Sequence, residues 1–481
     1  MTAGDTHPVT DPTPFIDEAA ETFDVTLSDA ERDTYAEEFE ATQGLLASLA
    51  PTDFESEPAT EVREGDDEYN AFRYRCSLSG DGGPLDGLAI AVKDNIAVAG
   101  VPMTCGSAAV AFEPTYHASV TERLLDAGAD LTGTTNMDEF AYFTTSETCA
   151  HGPVGNPAVE GGVPGGSSSG SGAAVAAGLV DAALGTDTGG SIRIPASYCG
   201  VVGLKPTFRT VPRFGFADLA SSLDHVGPLA PDVATAARVL DAINGPDVRD
   251  PSTQGVATPT ASDGLDEDPA GLSVGLVTEA QTNADDAVAA AIESAAADLR
   301  DAGVTVEEVS LSGFHTQPLV NSAVTATEFT TLAADAGQDH GVGTGYSEQW
   351  RETLADLDTD ALGENVRSRL VLGRALTRAD EGRGYVAAQN VRQQFTRLVE
   401  TRLDEYDALL LSTTPNTAPD YGEVTDDGAL LRTIAHTSPF NCTGHPALSV
   451  PVDSSDAPVG CQFVTSWYDE ATAVTLGAAL E

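Results

Sequence analysis

"VPGGSSSGSGAAVAAG", Val163 to Gly178, reads by composition as a flexible spacer, because Gly/Ser runs are solvated and mobile. The charge around it argues otherwise. The 481-residue chain has 75 Asp+Glu against 23 Lys+Arg, a formal net charge of −52. Residues 1 to 75 alone hold 20 acids and four arginines. Residues 161 to 206 contain only Asp181, Asp187, Arg193 and Lys205, a net charge of zero. An exposed tether in this chain would carry acids like its other exposed segments, so the neutral stretch is expected to be buried.

The acidic excess describes a surface that stays hydrated in concentrated salt, where screening mutes self-repulsion. It argues against direct binding to nucleic acid or an anionic membrane, both of which it would repel. Six scattered cysteines without a CxxC pair point to buried, reduced thiols rather than a disulfide scaffold or a zinc site. The N-terminus lacks a basic region followed by an apolar one, and no run approaches eighteen apolar residues, so a cytoplasmic chain without a membrane span is expected.

Apolar periodicity gives strands at "GLAIAVKD" (87–94), "ADLTGTT" (129–135), "LSVGLVT" (272–278), "DALLLST" (407–413), "ALSVPV" (447–452) and "GCQFVTS" (460–466). Helices are expected over 28–50, 119–127, 172–180, 232–243, 284–301 and 386–403. The alternation predicts an α/β layered sheet. Residues 1–80 read as an acidic, largely helical arm, 81–481 as the catalytic domain, and 245–271 as a loop-like surface segment.

Three chemistries compete for the Gly/Ser stretch. Gly166, Gly170 and Gly172 fit the GxxxGxG phosphate turn of short-chain dehydrogenases. The YxxxK pair such an enzyme needs would require Tyr at 89 or 201, where Ala89 and Val201 stand, since the only lysines are Lys93 and Lys205. Gly166 to Gly170 also fit the GxSxG nucleophile elbow, but Pro164 suits a central strand poorly and no spacing singles out a partner histidine. The third reading lies downstream in "GTDTGGSIR". Gly189 and Gly190 let backbone N–H groups crowd beside Ser191, the nest a tetrahedral oxyanion requires. A serine also needs a base, and lysine serves only when burial keeps it neutral. Lys93 ends an apolar strand in a chain almost devoid of lysine, and the alternative is that it merely pairs with a carboxylate.

Together "GLAIAVKDNI", "PGGSSSGSGAAVAAGLV" and "LGTDTGGSIRIPASYCGVVGLKPT" resemble the amidase signature family. "TTNMDEFAY", "SSLDHVGPLAPDV" and "SPFNCTGHPALSVP" extend the likeness over most of residues 85 to 240 and the C-terminal third. The resemblance implies an α/β fold with a large central mixed sheet covered by helices on both faces. It implies amide hydrolysis through a Ser-Ser-Lys triad, with Ser191 as nucleophile, Ser167 as the bridging serine behind a cis peptide bond, and Lys93 as base. The oxyanion hole maps to the N–H groups of Thr188, Gly189, Gly190 and Ser191. Ser169 departs from the family's usual glycine. Asp187 and Arg193 are expected to pair and brace the loop, while Ser168 and Arg369 are candidate substrate contacts. No metal or cofactor is implied. The substrate is a small amide and the assembly a homodimer, or partner subunits if the chain is the glutaminase (A) subunit of glutamyl-tRNA amidotransferase. That subunit is approached through "KDNI", "NMDEFA" and "VRSRLVLG". The resemblance places Ile434 at the position of that subunit's substrate-binding aspartate, which favours a stand-alone amidase.

Overall fold

The computed structural model describes residues 9, 11–46, 48, 54–110, 112–334, 348–454 and 457–481. The chain divides into two compact units, Met1–Phe54 and Glu55–Glu481. The first holds two helices, Thr13–Thr22 and Asp29–Leu46, neither with a buried residue. The second helix opens on a capping box: the Glu31 amide donates to Ser28 Oγ at 3.3 Å, and the Ser28 amide donates to Glu31 Oε2 at 2.8 Å.

In the second unit the described residues form twelve strands: β1 (Thr60–Glu64), β2 (Phe72–Ser79), β3 (Ala89–Lys93), β4 (Asp130–Thr135), β5 (Ala182–Asp187), β6 (Val202–Lys205), β7 (His225–Ala230), β8 (Ser273–Val277), β9 (Thr305–Val309), β10 (Ala408–Ser412), β11 (Ala447–Val452) and β12 (Val459–Thr465). They make one mixed sheet in the order β1-β2-β4-β3-β5-β7-β6-β11-β12-β10-β8-β9. β3 runs parallel to both β4 and β5, β8 runs parallel to β9 and β10, and the remaining pairs are antiparallel. The sheet takes in more of the N-terminal sequence than composition indicates: β1 and β2 lie within the 1–80 segment read as an arm, and the unit holding them begins at Glu55.

Every residue of β5, β7, β10 and β12 is buried, so both faces of the sheet centre are covered. Helices Ser169–Ala176 and Arg193–Cys199 share a core of small side chains with the sheet, including Ala91, Ala173, Ala174, Ala183 and Ala196. Gly162 to Val175 are all buried, so the Gly/Ser stretch is no tether. Its helix starts three residues before the predicted 172, at Ser169. Residues 245–271 hold two short 3-10 turns, Pro251–Thr253 and Ala261–Asp266, and an isolated bridge between Asp247 and Asp250. All six cysteines are buried and unpaired, and no described helix is long and apolar enough to cross a membrane.

Candidate active site

β3 delivers Lys93 to the middle of the sheet, where the side chain is fully buried. Its Nζ donates to Ser167 Oγ and to Thr186 Oγ1, both at 2.8 Å. Among the described residues no carboxylate pairs with it, which removes the reading of Lys93 as half of an ion pair. Burial pushes its pKa down from 10.5 to about 7, against a smaller upward pull from Asp138, Asp187 and Asp224. A lysine in this state is available as a base at neutral pH. Thr186, which sequence reasoning passes over, is the amine's second partner. Its signal was present: strand alternation puts it two residues before Thr188, inside the segment leading to the nest.

Ser167 follows the Gly166–Ser167 peptide bond, which is cis. Its carbonyl accepts from the Asp138 amide at 3.2 Å. Ser168 is committed to the backbone of β5. It is fully buried, its Oγ donates to the Thr186 carbonyl at 3.2 Å and accepts from the Thr186 amide at the same distance, and so it binds the loop to β5. Ser169 occupies the first turn of its helix without a left-handed backbone, so a serine fits where the family usually has glycine.

Ser191 is nearly buried and lies on the wall of a cavity of about 160 Å³. The Ser168 amide donates to its carbonyl at 3.3 Å, which brings the cis-peptide loop against the Ser191 turn. Among the described residues no hydrogen bond joins the Ser167 and Ser191 hydroxyls, so the Lys93–Ser167 leg is formed here and the second leg is open. The nest is held from outside. Asn321 Nδ2 donates to the Thr188 carbonyl at 2.9 Å, and Thr437 Oγ1 donates to the Gly189 carbonyl at 2.6 Å. The amides of Gly189, Gly190 and Ser191 have no protein acceptor among the described residues. Gly190 has φ +139°, and a Cβ there would lie 2.2 Å from Thr437 Oγ1, so only glycine makes this turn.

Asp187 and Arg193 brace the loop as expected. The guanidinium donates to both carboxylate oxygens at 2.9 Å, and also to Gln462 Oε1 and Asn441 Oδ1 at 2.7 Å. Burial alone would raise the Asp187 carboxyl, but Arg193 outweighs it and holds the group well below the usual carboxylate range.

The cavity is also lined by Tyr142, Asn321, Thr325, Arg369 and Asp427, with Leu219, Leu319, Leu430, Leu431 and Ile434 as its apolar wall. Arg369 Nη1 donates to Asp427 Oδ2 at 3.3 Å, and Nη2 donates to Oδ1. The alignment puts Ile434 at the position of the family's aspartate, and the carboxylate that meets Arg369 in this fold is a different one. Ile434 does face the cavity, but the acid comes from Asp427, the first residue of helix Asp427–Thr433. The preceding Asp426 is the N-cap and accepts from the Ala429 amide, which leaves Asp427 free of capping. Two consecutive acids at a helix start were the available signal. Among the described residues no group of His, Cys, Asp and Glu is arranged to hold a metal.

A protein-family model described as Amidase matches residues 61–474. The chain is 44% identical over 407 residues to the A subunit of glutamyl-tRNA(Gln) amidotransferase from Natronomonas pharaonis, covering 83% of this chain and 96% of that protein. Among solved structures it resembles the corresponding subunit from Thermotoga maritima, with a TM-score of 0.74, 32% identity, and coverage of 88% of this chain and 87% of that one. It also resembles the native peptide amidase of Stenotrophomonas maltophilia, with a TM-score of 0.69, 30% identity and 83% coverage of each chain. The chain belongs to the amidase family.

Proposed function

We propose that the chain hydrolyses the side-chain amide of free glutamine to carboxylate and ammonia, as the ammonia-producing component of a tRNA-dependent amidotransferase. The observation that carries the chemistry is Lys93: fully buried, without a carboxylate partner, and 2.8 Å from Ser167 Oγ. Neutral Lys93 takes the Ser167 proton as Ser167 takes that of Ser191, and Ser191 Oγ attacks the amide carbon. The missing Ser167–Ser191 contact closes by rotation of the Ser191 side chain, since catalytic hydrogen bonds often tighten only around bound substrate. The developing oxyanion accepts from the amides of Thr188, Gly189, Gly190 and Ser191, each donor lowering the barrier by about 3–4 kcal/mol. The relay returns the proton to the leaving nitrogen, ammonia departs, and water attacks the acyl-enzyme by the same path in reverse.

The substrate assignment rests on Arg369 and Asp427. A free amino acid carries an α-carboxylate and an α-ammonium, which match a guanidinium and a carboxylate exposed on one cavity wall. Asp427 offers a carboxylate beside Arg369 that Ile434 cannot, which favours the amidotransferase reading over the stand-alone amidase. Likeness to the amidotransferase A subunits of two organisms points the same way.

The test is ammonia release in molar salt from glutamine and from neutral aliphatic amides, by the chain alone and with partner subunits. The proposal expects glutamine to be preferred, Ser191→Ala to be inactive, and Arg369→Ala and Asp427→Ala to raise the glutamine KM about tenfold or more. Equal use of neutral amides, insensitive to either substitution, returns the chain to the stand-alone class.

A further inference from the structure

We infer that Glu139 is a positioning residue that fixes Arg369, and so sets the preference for a charged amino-acid amide over a neutral one. The inference rests on the proposed role of Arg369. Glu139 itself lies outside the lining of the cavity, so it acts only through the helix that carries the arginine.

That helix, Glu364–Ala379, has no side-chain cap from its own sequence. The first amides of a helix lack internal partners and need acceptors from elsewhere. Here the acceptor comes from 224 residues away: the N-cap Gly363 donates its amide to both Glu139 oxygens, at 3.1 and 3.0 Å. A carboxylate at this end also suits the helix dipole. The approach is close: a Cβ at Gly363 would lie 2.5 Å from Glu139 Oε2, so a larger residue there would push the carboxylate aside. Glu139 is held in turn by Ser107 Oγ, which donates to Oε1 at 2.6 Å.

The same segment reaches the catalytic loop. The Asp138 amide donates to the Ser167 carbonyl at 3.2 Å. Thr148 Oγ1 donates to Asp138 Oδ1 at 2.7 Å and accepts from the Glu139 amide at 3.2 Å. Three residues after Glu139, the Tyr142 ring lies 5.8 Å from the Arg369 guanidinium and lines the cavity. Phe140 and Ala141 between them have φ +49° and +59°, a left-handed stretch uncommon in non-glycine residues. Tilting the helix at this anchored start would move Arg369, six residues on, relative to Ser191. Misplacement by about 1 Å costs up to about a hundredfold in a positioned reaction.

The experiment compares Glu139→Ala and Glu139→Gln with the unmodified protein on glutamine and on a neutral aliphatic amide, with thermal unfolding alongside. Glu139→Ala is expected to raise the glutamine KM about tenfold while kcat for the neutral amide stays within about twofold. Glu139→Gln keeps an acceptor oxygen for Gly363 and is expected to recover most of the KM. If Glu139→Ala lowers kcat on both substrates alike, or melts without a KM change in the Gln variant, the residue is a scaffold element and the inference is wrong. If Arg369→Ala itself leaves the glutamine KM unchanged, the substrate reading fails first. If Arg369→Ala raises that KM and Glu139→Ala does not, the substrate reading survives and this inference falls.

Discussion

Replacing Lys93 by methionine separates the cost of a buried base from its use. The folded protein holds this amine at a pKa of about 7, lowered from 10.5 by burial. Below pH 7 the folded and unfolded chains both carry the proton, the folded one in a site that disfavours it. Between about 7 and 10.5 the folded amine is neutral and unfolding takes up a proton, so the stability of the native protein rises with pH through that window. At about 1.4 kcal/mol per pH unit, the folded state bears on the order of 5 kcal/mol at pH 6 and about 2 kcal/mol at pH 9. Methionine has similar reach and no charge, so it removes this penalty. It also strips a partner from the Ser167 and Thr186 hydroxyls, each worth about 1–3 kcal/mol, but that loss does not vary with pH. The stability of Lys93→Met relative to the unmodified protein should therefore fall by roughly 3 kcal/mol between pH 6 and pH 9. Thermal unfolding of both proteins at the two pH values, in one molar-salt buffer, reads this difference directly. Salt screening does not reach a fully buried group, so high salt leaves it intact. The variant should also be inactive at both pH values. A stability difference that stays level from pH 6 to pH 9 would mean Lys93 titrates in the folded protein much as it does in water, and the argument for a neutral base would collapse.

The rate should show the same group. The pH profile of kcat/KM is expected to rise through a limb near pH 7 as Lys93 loses its proton, and a limb near 10 would contradict the assignment. Ser167→Ala should cut kcat by about 10²- to 10⁴-fold with the fold intact, whereas Ser168→Ala should leave kcat within a few-fold and lower the melting temperature; equal losses of kcat in the two variants would show that the loop, not the hydroxyl, matters. Gly190→Ala sets a Cβ against Thr437 and turns the nest amides, so fluorophosphonate labelling of the folded protein at Ser191 should fall sharply, and the strained backbone should cost about 1–3 kcal/mol of stability. Normal labelling would remove the nest from the mechanism.

What could be read in advance follows from which segments obey ordinary propensity. β3, β4, β8, β10, β11 and β12 carry apolar or β-branched runs and appear within a residue or two of their predicted bounds. β5 ("AALGTD") and β7 ("HVGPLA") lack the β-branched, alternating pattern that marks a strand. Their composition has a structural cause. β5 lies under the catalytic loop, and a Cβ on Gly185 would stand 2.7 Å from Ser168 Oγ. Larger side chains would lift that loop away from Thr186, the partner it shares with Lys93. β1 and β2 were hidden differently: β1 is an exposed edge strand carrying Glu61, Arg63 and Glu64, and β2 beside it carries the half-buried Arg73 and Arg75, so together they read as a solvated arm.

The candidate site was legible where its groups are close in sequence or drawn from rare residue types. Lys93 stands out because the chain has one other lysine, and the nest stands out because its glycines adjoin Ser191. Asp427 and Glu139 act across 58 and 224 residues, on partners that local pattern cannot supply. Both nevertheless converge on one helix: Asp427 pairs with its Arg369, and Glu139 holds its first turn. The proposed catalytic hydroxyls and amides sit on buried strands and turns in a neutral part of the chain, while Arg369, the proposed substrate contact, rides on a helix whose start is held by a distant carboxylate. Changes to that carboxylate should therefore alter which amide is cleaved before they alter how it is cleaved, and a variant of Glu139 that loses chemistry on every substrate at once would break this separation.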